Sequence, residues 1–143
     1  MTERNKKKVR LFVEAVLNEG RLELIEELVA ADFVGHLTGV PSPVVGRAEV
    51  RRLVSSGRRT YPDLYIKIDD EIAEDDRVVI RWRATATPVM TPGRPPARVA
   101  RLAGVSIVRL LAGKQVDART EWATIVADAI REQAGDLQGR SPG

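Results

Sequence analysis

The sequence predicts an α+β fold in which N-terminal helices pack on a strongly curved antiparallel or mixed β-sheet, forming a cone with an internal pocket. In the first third of the chain, apolar residues recur every third or fourth position. From Leu64 onward they recur at every second position, as in strands. The segment Ala112-Gly113-Lys114 separates two such alternating runs and predicts a hairpin turn. Helices that cover one face of a curved sheet leave a cavity suited to a small apolar ligand.

Three helices are predicted before the strands begin. The first carries an apolar face and ends at Gly20, which suits a left-handed helix cap. A second, short helix runs from Leu22 to Ala31 and is followed by the extended segment Asp32 to His36. The third opens at Gly46 and ends near Gly57-Arg58-Arg59. The apolar face of the first helix consists of Val9, Phe12, Val13, Val16 and Leu17.

The remaining chain predicts hairpin-linked strands. Leu64 to Ile68 is the first, and a turn at Asp75-Asp76 leads into Arg77 to Thr87. After a loop rich in Pro and Gly, Val99 to Leu111 and Val116 to Val126 complete the sheet. Alternation in the second strand places Val78, Ile80, Trp82, Ala84 and Ala86 on one face, and Arg81, Arg83, Thr85 and Thr87 on the other.

Length and composition limit the possible functions. We expect residues 1–133 to form one domain and residues 134–143 to be a flexible tail, because that tail lacks an apolar pattern. The absence of cysteine excludes thiolate metal sites, and a single histidine excludes sites with two imidazoles. Two Trp, two Tyr and two Phe are too few for a base-stacking surface, so nucleic acid is not an expected partner. No membrane span or signal peptide is recognised, which predicts a cytoplasmic protein.

Several short motifs follow one another in a characteristic order. Asn18-Glu19-Gly20 precedes a Leu-rich helix, and Tyr61-Pro62-Asp63-Leu64 opens the first strand. The second strand begins with Asp76 to Trp82, and Glu121-Trp122 lies in the last strand. Further members are Asp32 to His36, Gly46 to Val50, Pro95-Pro96, Gly104 to Ile107 and Gly113-Lys114. Together they resemble the SnoaL-like polyketide cyclase family, within the cone-shaped α+β barrels typified by a nuclear transport factor.

The resemblance implies a pocket for a polycyclic or other small apolar substrate, with no cofactor and no metal. In the family's cyclases an aspartate on the last strand, aided by a histidine, moves a proton during an aldol closure. This sequence departs from that pattern. Pro88 follows Thr87 where the family often has histidine, and Ser106 stands where a His or Asp is common. The acid position falls on Thr120 when counted from Gly113, or on Ala123 when anchored on Trp122.

His36 and Glu121 are the candidate catalytic residues. His36 is the sole imidazole, and its ordinary pKa suits proton transfer near neutrality. If Trp122 sets the register of the last strand, Glu121 lies on the face of the acid position, where an apolar cavity would raise the pKa of its carboxyl group. If Thr120 points inward instead, alternation turns Glu121 outward.

The candidate substrate-binding residues are Trp82, Ser106, Tyr61, Met90 and Thr120. Trp82 lies on the apolar face of its strand and is expected to line or floor the cavity. Met90 belongs to the loop expected over the cavity mouth. Asp63 is expected to stabilise its turn by accepting hydrogen bonds from backbone amides.

Two functional hypotheses follow. The first is a cofactor-independent cyclase, isomerase or related acid–base enzyme acting on a small, apolar, polyketide-like substrate. The second is a non-catalytic small-ligand-binding or dimerisation module of the same fold. Outward-facing Val105 and Ile107 also predict a homodimer formed through the outer face of the sheet.

Overall fold

The computed structural model describes residues 2–89, 93 and 98–125. The predicted tail, most of the Pro- and Gly-rich loop, and Met90 therefore lie outside the described residues. Helix α1 spans Thr2–Leu11 and continues into a π-helical segment, Phe12–Asn18. A 3-10 turn at Leu22–Leu24 leads into α2, Ile25–Leu28, and α3 spans Gly46–Thr60. No described helix is long and apolar enough to cross a bilayer.

Within the described residues, six strands form one mixed sheet with the order β2-β1-β6-β5-β4-β3. The parallel neighbours are β1 and β6, and the other pairs are antiparallel. The strand bounds are β1 Val29–Leu37, β2 Val44–Val45, β3 Tyr65–Glu74, β4 Arg77–Ala86, β5 Ala100–Leu111 and β6 Lys114–Thr124. This architecture confirms the predicted α+β fold with a mixed sheet.

The predicted alternation of β4 is confirmed. Its apolar members are buried and pack toward the helices, while Arg81, Arg83 and Thr85 are exposed on the outer face. That outer face carries ion pairs with β3 and its turn: Arg83 with Asp69, Arg81 with Asp70, and Arg109 of β5 with Asp76. The guanidinium groups lower the pKa of the Asp69 and Asp76 carboxyls. Charge is thus concentrated on the face that points away from the core.

The prediction for the second helix is wrong at its C-terminal end. Helical structure ends at Leu28, and Ala31, predicted to be helical, lies in β1. Val29 already has extended backbone angles and is almost fully buried. Tertiary pairing explains the difference, because Val29 is in register with Gln115 of β6, a strand distant in sequence.

Asn18 joins the end of the first helical segment to the edge strand β3. Its side-chain amide donates to the carbonyl of Ile66 at 2.9 Å, and its side-chain oxygen accepts the Ile66 amide proton at 2.8 Å. Gly20, at φ +74°, then turns the chain as predicted. Arg58 of α3 donates to the carbonyls of Leu17 and Asn18. Its side chain thus supplies hydrogen-bond donors to carbonyl groups that have no partner at the end of the first helical segment.

Replacing Asn18 by Ala is expected to lower the free energy of unfolding by about 1–3 kcal/mol, because two hydrogen bonds to the edge strand are lost. Urea unfolding measures the change. Glu19→Ala, at the exposed neighbouring position, is the matched control and should alter stability little. Equal stabilities of the two variants would contradict the role assigned to Asn18.

Candidate functional site

A cavity of about 280 Å³ lies between the helices and the inner face of the sheet. Such a volume approaches the lower end of the range of small-molecule pockets. None of the described residues that line it carries an ionisable side chain. Its apolar wall includes Phe12, Leu17, Phe33, Val54, Ile66, Ile80, Leu102 and Val108, and its polar side chains are Ser106, Gln115 and Thr120 together with the indoles of Trp82 and Trp122.

The two ends of the cavity differ in their access to solvent. Leu53 and Trp122 are 44% and 38% exposed, and they mark the open end. Val9 and Gln115 are 1% and 4% exposed, and they mark the closed end beside the β5–β6 hairpin. The cavity is therefore more accessible to solvent beside Trp122 than beside the hairpin.

Three side chains form a hydrogen-bonded row across the central strands. Trp82 on β4 donates its indole N–H to Ser106 Oγ on β5 at 3.1 Å. Ser106 Oγ and Thr120 Oγ1 on β6 lie 2.8 Å apart and share a further hydrogen bond. This row, which we call the hydroxyl row, is set into an apolar wall and is its main polar feature.

The hydroxyl row retains one proton for a ligand. Indole N–H can only donate, so Ser106 Oγ must accept from Trp82. If Ser106 then donates to Thr120, the Thr120 proton is free; if Thr120 donates to Ser106, the Ser106 proton is free. Either arrangement leaves a hydroxyl donor that suits a carbonyl, ether or hydroxyl oxygen of a bound molecule.

Gly104 allows Trp82 to lie across β5. It is in register with Trp82 on one side and with Trp122 on the other. A Cβ atom at Gly104 would overlap a ring carbon of Trp82 and stand 2.8 Å from the Glu121 carbonyl oxygen, closer than such contacts permit. The absence of a side chain therefore makes room for the indole that begins the hydroxyl row.

Strand pairing sets which residues of β6 face the cavity. Thr120 is opposite Ser106, which is buried, and Glu121 is opposite Val105, which is exposed. Glu121 is itself exposed and does not line the cavity. The predicted inward position of Glu121 is therefore wrong, and the alternative in which Thr120 points inward describes the strand. Regular alternation along β6 from Asp117 onward is the physical reason.

His36 also lies away from the cavity. In β1 the alternate residues Phe33, Gly35 and Leu37 line it, so His36 is turned to the other face of the sheet. There its register partner is Arg119 of β6. The sequence predicted that His36 and Glu121 lie together inside the pocket. This prediction is wrong, because neither residue lines the cavity.

The predicted binding residues have mixed outcomes. Trp82, Ser106 and Thr120 all line the cavity. Tyr61 follows α3 and is not among the lining residues, and Met90 lies outside the described part of the chain. The ligand-binding role of each remains a prediction.

Asp63 has a longer-range partner than predicted. Its Oδ1 accepts the backbone N–H of Thr87 at 2.7 Å, which lowers the pKa of the Asp63 carboxyl. The residue thus ties the turn before β3 to the end of β4, near the Trp82 side of the cavity wall.

Sequence reasoning missed Gln115 and Gly104. A glycine within an alternating run could have indicated a close approach of another group. Gln115 follows a hairpin turn, where a polar residue is ordinary, so nothing in the sequence marked it. As for metals, no group of three His, Cys, Asp or Glu side chains that could hold an ion is found within the described ranges.

A family model identifies the family, and similar solved structures support the fold. Residues 9–118 match the model of the SnoaL-like domain, and the chain belongs to this family. Among curated proteins, none matches the sequence.

Three similar solved structures support the fold. IdmH from Streptomyces antibioticus is 24% identical, with 92% of this chain and 98% of that chain covered and a TM-score of 0.73. A SnoaL-like polyketide cyclase from Agrobacterium tumefaciens is 14% identical, with 91% and 97% covered and a TM-score of 0.70. An LEH-like epoxide hydrolase from M. tuberculosis is 15% identical, with 95% and 93% covered and a TM-score of 0.69. At these identities the likeness concerns the fold alone.

Gly104→Ala is expected to displace the Trp82 indole and to destabilise the protein by about 1–3 kcal/mol, the usual cost of overpacking. The intrinsic fluorescence of the two tryptophans and thermal unfolding report the change. The same substitution at Gly57 of α3 is the matched control, because no atom lies within 4 Å of its added Cβ. Gly57→Ala should be neutral or stabilising in a helix. A Gly104→Ala variant with unchanged emission and stability would refute this account of Trp82.

Proposed function

We propose that this protein binds a small, largely apolar molecule in the cavity and holds one oxygen atom of that molecule on the hydroxyl row. The observation that carries the proposal is the composition of the lining. It combines an extended apolar wall with a pair of hydroxyl groups that have one proton to spare. Burial of apolar surface would supply most of the affinity, and the hydroxyl row would orient the ligand.

The absence of charge from the described lining supports binding rather than acid–base catalysis. A general acid or base must change its protonation state near the working pH and reach the reacting group. Ser106 and Thr120 have hydroxyl groups that stay protonated, and no basic group among the described lining residues could activate them. Ligand affinity should accordingly change little across the neutral pH range.

A cofactor-independent enzyme of the cyclase or isomerase type is the second candidate. It is favoured by structural relatives that are named a polyketide cyclase and an epoxide hydrolase. Its proton-transferring group would have to come from beyond the described lining or from the substrate itself. Turnover of an aromatic polyketide-like ketone with a bell-shaped pH dependence would favour this candidate over simple binding.

Fluorene and fluorenone form a matched pair of probes, since they share a flat apolar frame and differ by one carbonyl oxygen. Fluorenone is expected to bind about 3- to 10-fold more tightly than fluorene, the effect of one hydrogen bond. The double substitution Ser106→Ala with Thr120→Val should abolish this preference while leaving fluorene affinity nearly unchanged. Quenching of the fluorescence of Trp82 and Trp122, which both line the cavity, measures the binding.

Thr85→Val is the matched control for this experiment. It removes a hydroxyl group from an exposed position on the outer face of β4. The preference for fluorenone should persist in this variant. Failure of both probes to bind would refute the cavity as a ligand site, whereas equal binding of the two probes by the wild-type protein would refute the role of the hydroxyl row.

We also infer that two copies of the chain associate through the outer face of the sheet. Val105 and Ile107, in the interior strand β5, are 42% and 44% exposed. Around them lie charged groups of both signs, including Arg81 and Glu121, which are in register with Val105 on either side. An apolar centre with a mixed-charge surround suits a two-fold contact, in which each group can meet its opposite on the second copy.

Ile107→Asp is expected to convert this dimer to a monomer, because it places a carboxylate in the middle of the contact. Light scattering at micromolar concentration measures the mass, which for one chain is 15.8 kDa. Val40→Asp, in an exposed loop before α3, is the control and should leave the mass unchanged. A wild-type mass equal to that of one chain would refute the dimer.

A further inference from the structure

A β-bulge near the start of β6 turns Gln115 toward the closed end of the cavity. Pairing between β5 and β6 is regular as far as Arg109 and Asp117. If this register continued, Val116 would lie opposite Leu110. The register shifts at this point, and Leu110 is instead opposite Gln115. Directly opposed residues share a face, and Leu110 is 2% exposed in the core. The extra residue, Val116, thus re-aims the glutamine inward.

Gln115 is a buried polar residue whose amide makes no side-chain hydrogen bond with the other described residues. Its amide atoms are not fully enclosed, because Glu71 Oε2 is the only enclosed, unpartnered polar side-chain atom among the described residues. The residue is only 4% exposed and lines the cavity. Within the described part of the chain, none of the side-chain hydrogen bonds engages this amide, and the neighbouring Lys114 is bonded to the Glu26 carbonyl instead. Polar groups buried in an apolar site are ordinarily satisfied by protein, water or ligand. The open hydrogen-bonding capacity therefore faces the cavity.

Gln115 and the hydroxyl row lie at opposite ends of the same cavity. Thr120 lies five positions after Gln115 on β6, a span of at most about 17 Å along an extended strand. The wall between them is apolar, formed by residues such as Val108 and Ala118. The polar groups of the lining thus lie in two places, with an apolar stretch between them: Gln115 is at one, and the hydroxyl row with the Trp122 indole is at the other.

We propose that Gln115 is a second anchor, which binds a carbonyl or hydroxyl group at the buried end of the ligand. This inference rests on the proposed binding function and specifies its ligand class. The ligand is an elongated, mainly apolar molecule with a hydrogen-bonding group at each end. Because an amide both donates and accepts, Gln115 accommodates either a ketone oxygen or a hydroxyl group.

Straight-chain alcohols test the second anchor without knowledge of the natural ligand. The probes are the α,ω-diols of octane, decane and dodecane, each compared with the alkanol of the same chain length. The wild-type protein should bind the diol that spans both anchors about 3- to 10-fold more tightly than its alkanol, after allowance for the greater solubility of the diol in water. In the Gln115→Leu variant this advantage should disappear, so that each diol binds no more tightly than the alkanol of the same length.

The possible results test the second anchor and the binding function separately. If alkanols bind but no diol gains over its alkanol, or if Gln115→Leu keeps the gain, the second anchor is refuted and the binding function stands. If neither alkanols nor diols bind, both the anchor and the proposed function are refuted.

Thermal unfolding checks that Gln115→Leu is folded, and Gln115→Met, which is unbranched, serves as a second variant. In Ser106→Ala with Thr120→Val, the diol should bind no better than the alkanol, because the other anchor is then missing.

Discussion

The arrangement of the cavity depends on the placement of the Trp82 indole across Gly104. With no side chain at Gly104, the ring can reach over β5 and donate to Ser106. This contact runs diagonally from β4 to β5, and the hydrogen bond between Ser106 and Thr120 continues the hydroxyl row to β6. The same indole contributes a large share of the apolar wall. One close contact thus determines both the shape of the cavity and its hydrogen-bonding character.

The sheet separates charge from apolar surface by its alternation. Arginines of β4 and β5 pair with Asp69, Asp70 and Asp76 on the outer face, where water screens them. Among the described residues that line the cavity, the polar side chains are hydroxyl, amide and indole groups. A ligand site built in this way favours neutral molecules, because a charged ligand would lose its hydration without gaining a counter-charge. That property supports the proposed binding of a neutral ligand.

Local irregularities in the strands add polar groups to an otherwise apolar interior. The bulge in β6 turns Gln115 inward, and a similar shift in β3 after Ile68 puts Glu71 opposite the buried Ile80. Glu71 is paired with Arg10 of α1 through one carboxylate oxygen, and its other oxygen is buried without a partner. The Glu71 position thus joins helix to edge strand, whereas Gln115 is open to the cavity. The two bulges serve different parts of the structure by the same means.

The sequence alone predicts the fold class, the long central strands and the residues on the two faces of β4, because period and turn chemistry are local properties. It also indicated Trp82, Ser106 and Thr120 as cavity residues. The sequence did not determine the face of the sheet on which Glu121 lies. A shift of one residue in register reverses that face, and only pairing with β5 fixes the register. His36 was misplaced for the same reason, because pairing with β6 sets which residues of β1 face inward. The inward orientation of Gln115 depends on a β-bulge that no local sequence pattern predicts. It follows only from the pairing of β6 with β5.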